Sequence, residues 1–177
     1  MKKMIVAITV SFMMLGLMTG CGAEKRFDGD ILDVISFDMG KQEVMEAAGK
    51  AFGEIKYMGA DGKPVENSDD ADRIIYSLNS VYGYEGNIIF VFESDLNSLH
   101  KAEIFYMVGD NDGKKQYEDI VDRFTEMYGP SISEEKGLDL YISYKGKNEI
   151  VVNYSQYSAT VKVQYGPSES WEEWMEL

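Results

Sequence analysis

What this chain lacks narrows it first. It has one cysteine, one histidine and three prolines in 177 residues. A lone thiol cannot close a disulfide within the chain, so stability has to come from packing. With His100 as the sole imidazole, no histidine pair is available for a metal, and a single ring entering a strand reads as structural or solvated. Positive charge is scarce: 17 Lys and Arg face 31 Asp and Glu, for a net −14. Such a surface disfavours nucleic acid and anionic lipid head groups and suits a basic protein, a cationic ligand or calcium. Long apolar runs are absent as well. The stretch from Met4 to Met18 is fifteen residues, short of the ~20 that a bilayer-crossing helix needs.

That stretch has another use. Lys2 and Lys3 precede it, Thr9, Ser11 and Gly16 interrupt it, and Met18-Thr19-Gly20-Cys21 ends it. A basic start, an apolar centre and small residues before the end make an export signal. It resembles the signal peptides of bacterial lipoproteins, with Met18 where leucine is usual. The resemblance implies removal of residues 1–20 and lipidation of Cys21 on sulfur as the new N-terminus. Loss of Lys2 and Lys3 takes the net charge to about −16. One acyl chain holds a protein marginally and two or three hold it durably, so the expected location is the membrane surface, extracytoplasmic side. Residues 21–30 read as the lipidated cysteine and a tether, followed by one domain over 31–177.

Within that domain, Val44, Ala47, Ala48, Ala51 and Phe52 fall on one face of a helix over Lys41 to Phe52. Asp38 is a candidate N-cap and Gly53 the expected terminator. Gly59 to Asp72, with Asp61, Glu66, Asp69, Asp70 and Asp72, is a polar acidic loop. Three strands are expected next: Ile74, Tyr76 and Leu78 alternate with Ile75, Ser77 and Asn79; Ile88 to Phe92 is apolar throughout; Ala102, Ile104 and Tyr106 alternate with Phe105 and Met107. Tyr117, Ile120, Val121, Phe124, Met127 and Tyr128 form the stripe of a second helix, stopped by Gly129-Pro130. Three further strands place Leu140, Ile142 and Tyr144, then Ile150, Val152 and Tyr154, then Val161, Val163 and Tyr165 on their inner faces.

The two helices align at an offset of 76, Val44 to Gly53 against Ile120 to Gly129. The fold class expected is therefore α+β: two tandem α-β-β-β units, over about 34–108 and 112–166, with an antiparallel sheet and helices packed on one face. That order, with Asp38-Met39-Gly40-Lys41-Gln42-Glu43-Val44 and then Gly49-Lys50-Ala51, resembles the β-lactamase-inhibitor-protein fold and the small outer-membrane-assembly lipoproteins. Their pattern is close to Gly-Met-Thr-Lys-Glu-Glu-Val, then Gly-x-Pro. The resemblance implies protein binding and brings no catalytic motif.

Reactive chemistry is thin. Ser133-Glu134-Glu135-Lys136 has the Ser-x-x-Lys spacing of penicillin-recognising enzymes without their companion motifs. Asp110, Asp112 and Asp119 have part of the spacing of a calcium loop, but Val108 stands at the first ligand position. In the tail, 168–177, Ser170 and Glu173 make a capping box, while Trp171, Trp174 and Met175 share one face that either packs on the protein's own sheet or anchors a partner. The outer strand face would carry Ile75, Ile89, Val91, Phe105 and Met107, too apolar to lie bare. The expected function is a membrane-anchored lipoprotein that binds an envelope or secreted protein through Ile75, Val91, Phe105, Met107, Trp171, Trp174 and Met175. Neither a cofactor nor nucleic acid is expected. The alternatives are a calcium- or small-ligand-binding lipoprotein and, third, a small envelope enzyme.

Overall fold

The computed structural model describes residues 25–93, 98–107, 113–132 and 139–167. Its elements run β1 (Arg26–Phe27), a 3-10 turn (Ile31–Asp33), α1 (Lys41–Phe52), β2 (Lys56–Met58), β3 (Arg73–Val81), β4 (Tyr84–Phe92), β5 (Leu99–Met107), α2 (Gly113–Tyr128), β6 (Leu140–Lys145), β7 (Asn148–Ser155) and β8 (Thr160–Pro167). All eight strands join one sheet, in the order β1-β3-β4-β5-β8-β7-β6, with β2 also pairing with β3. Only the β1–β3 pair is parallel among these described strands. The two halves of the chain meet at β5 and β8, from Ala102 opposite Tyr165 to Met107 opposite Thr160.

This arrangement overturns the α+β expectation of helices packed on one face of two tandem units. The protein is mostly sheet, 44% strand against 24% helical, and the sheet curls into a half-barrel. The physical reason is the continuity of pairing. Strand-to-strand twist of roughly 20–25° accumulates across the whole sheet instead of restarting at each half. The register shifts between Leu78 and Val81 and between Val91 and Phe92 bend it further.

The curl encloses one core. Ile74, Tyr76, Ile88, Phe90, Ala102, Ile104, Tyr106, Ile150, Val152, Val161, Val163 and Tyr165 reach into it from the strands, all 0% exposed. From α1 come Val44, Ala48 and Phe52, and from α2 Tyr117, Ile120 and Phe124. Ala51, expected in the α1 stripe, is exposed. Asp38 does not cap α1, because its carboxylate takes the Ser36 hydroxyl. The start is instead Gly40, whose backbone N–H donates to Glu43 Oε2 at 2.9 Å. Gly53 does end the helix, with φ of 87° and its N–H on Gly49 O at 3.1 Å.

Strand β6 faces the other way from expectation. Tyr141 and Ser143 are buried, at 1% and 3% exposure, while Leu140, Ile142 and Tyr144 point outward. The cause is the C-terminal end of α2, whose last carbonyls have no partner within the helix. Tyr141 Oη shares its one proton between Phe124 O at 3.0 Å and Gly129 O at 2.8 Å. Ser143 Oγ donates to Tyr128 O at 2.9 Å. The chain also enters the fold sooner than a tether ending at residue 30 allows, since Arg26 and Phe27 pair with Ser80 and Val81.

Candidate functional site

Two surface regions gather side chains that could act on something else. The first is the outer face of the sheet. Because successive strand residues alternate in side, the pairs Ile75–Ile89, Ile89–Glu103, Glu103–Gln164, Gln164–Val151 and Val151–Ile142 draw one row across six strands. Val91 and Lys101 pair in the row above, Asn87, Phe105 and Lys162 in the row below. Ile75, Ile89, Val91 and Phe105 are each partly buried. The described helices bury their apolar residues among the other, inward set of strand side chains.

Charge sits in the middle of the row. Glu103 Oε1 lies 2.7 Å from Lys101 Nζ, 3.1 Å from Lys162 Nζ and 3.2 Å from Gln164 Nε2. Burial pushes its carboxyl up, but the two ammonium groups outweigh that and hold it below the ordinary value of 4.5. Glu149, farther along the same face, lacks such company. Burial raises its carboxyl, opposed only by the Tyr144 hydroxyl at 3.4 Å.

The second region is a cleft of about 480 Å³ lined by Asp28, Asp30, Asp33, Arg123, Glu126 and Met127. Here the chain entering the fold is fastened to the second half. Lys145 Nζ bridges Asp30 Oδ2 and Asp33 Oδ1, each at 2.7 Å. Arg123 donates to Asp28 O at 2.5 Å, and its guanidinium stands 5.1 Å over the Tyr82 ring. Tyr128 Oη donates to Asp30 Oδ1 at 2.6 Å. Asp30 and Asp33 are thus tied to Lys145, and Asp28 to Arg123, as in a buckle, and periodicity could not reveal these pairs because the partners lie about a hundred residues away in sequence.

Inward from the buckle, Tyr82 Oη and Tyr165 Oη are 3.3 Å apart. Burial pushes the hydroxyls of Tyr82, Tyr106, Tyr128 and Tyr165 upward, away from neutrality. A phenolate base or nucleophile requires the opposite shift, so these rings act as core with polar tips.

Other sequence candidates fall as follows. Asp119 is on the exposed side of α2, where its carboxylate accepts from Lys115 and Tyr84, and Lys115 leads in lowering its pKa. Asp110 and Asp112 lie outside the described residues, as do Cys21, Ser133, Lys136, Trp171, Trp174 and Met175. Met107 lies in β5, with its side chain outside the description. Asp61 is drawn down by Lys63 in its own turn. His100 Nδ1 sits 3.2 Å from Glu93 Oε1. Among the described residues no group of three or more His, Cys, Asp or Glu is placed to hold a metal ion. No described helix is long and apolar enough to cross a membrane.

No known family's sequence profile matches this chain, and no curated protein matches it. Among solved structures it is similar to the crystal structure of a DUF4309 family protein, YjgB, from Bacillus subtilis. The two share 15% identity over 69% of this chain and 76% of that one, with a TM-score of 0.34, a likeness too loose to carry fold or function across.

Proposed function

We propose that the protein is an extracytoplasmic lipoprotein, held at the membrane through Cys21, whose sheet face binds an envelope or secreted protein. The observation that carries the reading is the outer row itself. Partly buried Ile75, Ile89, Val91 and Phe105 spread over adjacent strands around the ion-paired Glu103, with Lys101 and Lys162 beside them. An apolar patch with paired charges beside it suits a protein-docking surface. It is broad and shallow, whereas small-ligand sites enclose most of their ligand. The buckle supports the same reading, because it fixes how the domain leaves its attachment.

Two experiments test this. Metabolic labelling with palmitate should mark the wild-type protein and fail to mark Cys21→Ser, which should also leave the membrane fraction; label retained by Cys21→Ser would refute the anchor. A photo-cross-linking amino acid at Val91 should capture a discrete partner in intact cells, while one at Glu118, on the exposed side of α2, should not. Equal capture from both positions would refute the assignment of the face.

A further inference from the structure

The charge of the sheet face runs against that of the chain. On the outward positions that strand pairing fixes across β2 to β8, Lys56 lies opposite Ile75, Arg73 opposite Val91, Val91 opposite Lys101 and Phe105 opposite Lys162. The acids on such positions are Glu103 and Glu149. Glu85 and Glu93 lie outside these pairs, toward the two ends of β4. Four bases to two acids reverse the balance of the whole protein, which has 17 Lys and Arg against 31 Asp and Glu.

The bases also stand on both sides of the apolar ground. Lys56 and Arg73 are exposed on the β2 and β3 side, and neither has an ion-pair partner among the described residues. On the β5 and β8 side Lys101 and Lys162 share the single carboxylate of Glu103, so the three groups together are positive. Between the two sides lie Ile75, Ile89 and Val91. From β2 to β5 is three strand spacings, about 14 Å. At physiological ionic strength charges are screened over about 8 Å. A surface docked here therefore meets the local positive pattern and little of the chain's remote negative charge.

We infer that the partner of the sheet face is an acidic protein surface, with carboxylates on both flanks of an apolar centre, spaced to reach Lys56 and Arg73 on one side and Lys101 and Lys162 on the other. The net charge of the chain points to a basic partner; the face that does the binding points the other way. The inference rests on the reading of that face as a protein-docking surface and adds to it the sign of the partner's charge. That sign also sets the approach. The molecule's remaining acidic surface repels such a partner while the sheet face attracts it, so the encounter is oriented before contact.

The test is photo-cross-linking from Val91 of the full-length protein in intact cells, in the wild type and in three variants. These are Lys56→Glu with Arg73→Glu, Lys56→Gln with Arg73→Gln, and Glu118→Lys on α2. All the changes are at exposed side chains, and melting temperatures should match the wild type. Capture of the main species should fall severalfold with the charge reversal, less with the neutral pair and not at all with Glu118→Lys. The cross-linked peptide, identified by mass spectrometry, should be rich in Asp and Glu. Undiminished capture by the reversed pair would overturn the inference and leave the docking face standing, as would a cross-linked peptide in which Lys and Arg outnumber Asp and Glu. Label recovered on phospholipid in place of protein would give the face to the membrane and overturn it too. No capture from Val91 in the wild type would remove the docking face itself, and the inference with it.

Discussion

The two helices were aligned by the same apolar letters, yet they are fastened to the sheet by different means. In the α1 half, Phe52 meets Phe27, Tyr76 and Phe90 at ring distances of 4.8, 5.5 and 6.2 Å. The Tyr76 and Tyr106 hydroxyls are buried without a hydrogen-bond partner. In the α2 half, Phe124 meets Tyr82, Tyr128, Tyr141 and Tyr165 at 5.3 to 6.3 Å. There the hydroxyls of Tyr141 and Ser143 also hold the helix's terminal carbonyls. The directed bonds of α1 are at its start, where Lys41 Nζ donates to Ser68 O and Ala71 O, and those of α2 are at its end. The comparison teaches that a shared hydrophobic period fixes which face a helix buries and leaves open what locks it in place.

The largest expected effect probes what the halves share. Phe124→Ala and Phe52→Ala should each lose about 3–5 kcal/mol in urea unfolding, the usual cost of emptying a buried aromatic site. A loss under about 1 kcal/mol at Phe52 would show that the α1 half is loosely filled.

Next comes the difference between them. Tyr141→Phe should cost about 1–2 kcal/mol, because the one hydroxyl proton shared between Phe124 O and Gly129 O is lost. Tyr76→Phe should cost nearly nothing or stabilise slightly, since the buried hydroxyl has no hydrogen bond to lose. Equal losses at the two positions would erase the distinction. Lys145→Met, which opens the buckle, should cost less, at most about 1 kcal/mol, and its effect should shrink with added salt.

The smallest effects separate Glu103 from Glu149, on outward positions of β5 and β7. The lowered pKa of Glu103 means that its ion pairs stabilise the fold at pH above its unfolded value near 4.5 and that this is lost as the pH falls below. Glu103→Gln should therefore flatten the acid limb of a melting-temperature profile. The raised pKa of Glu149 has the opposite sign: its stabilising share is present below about 4.5 and lost as the pH rises through its folded value. Glu149→Gln should remove that loss, giving a small gain at neutral pH.

Much of the local structure could be read from the letters. Both helices and their glycine ends were legible because one apolar stripe at a 3.6-residue period admits a single burial face. The outer identity of Ile75, Ile89, Val91 and Phe105 was legible because the alternating partners Ile74, Ile88, Phe90 and Ile104 had to face the core. Strand β6 was not, because its two alternating sets, Leu140-Ile142-Tyr144 and Tyr141-Ser143, both contain a large apolar residue. The tie is broken by hydroxyls reaching the end of α2, a tertiary fact. The curl of the sheet was equally hidden, since it depends on β5 finding β8 across some sixty residues. So was the buckle, whose acids on the entering segment looked like an ordinary solvated linker until Arg123 and Lys145 were brought to them.

The central claim is that the outer face, and not the helical side, is where this protein meets its partner. Chemical cross-linking in intact cells, with quantitative mass spectrometry of the captured proteins, should be run on the wild type, Ile89→Asp and Glu118→Lys, all checked for native folding. The account predicts that Ile89→Asp loses the main captured species while Glu118→Lys retains it; retention by Ile89→Asp together with loss by Glu118→Lys would contradict it.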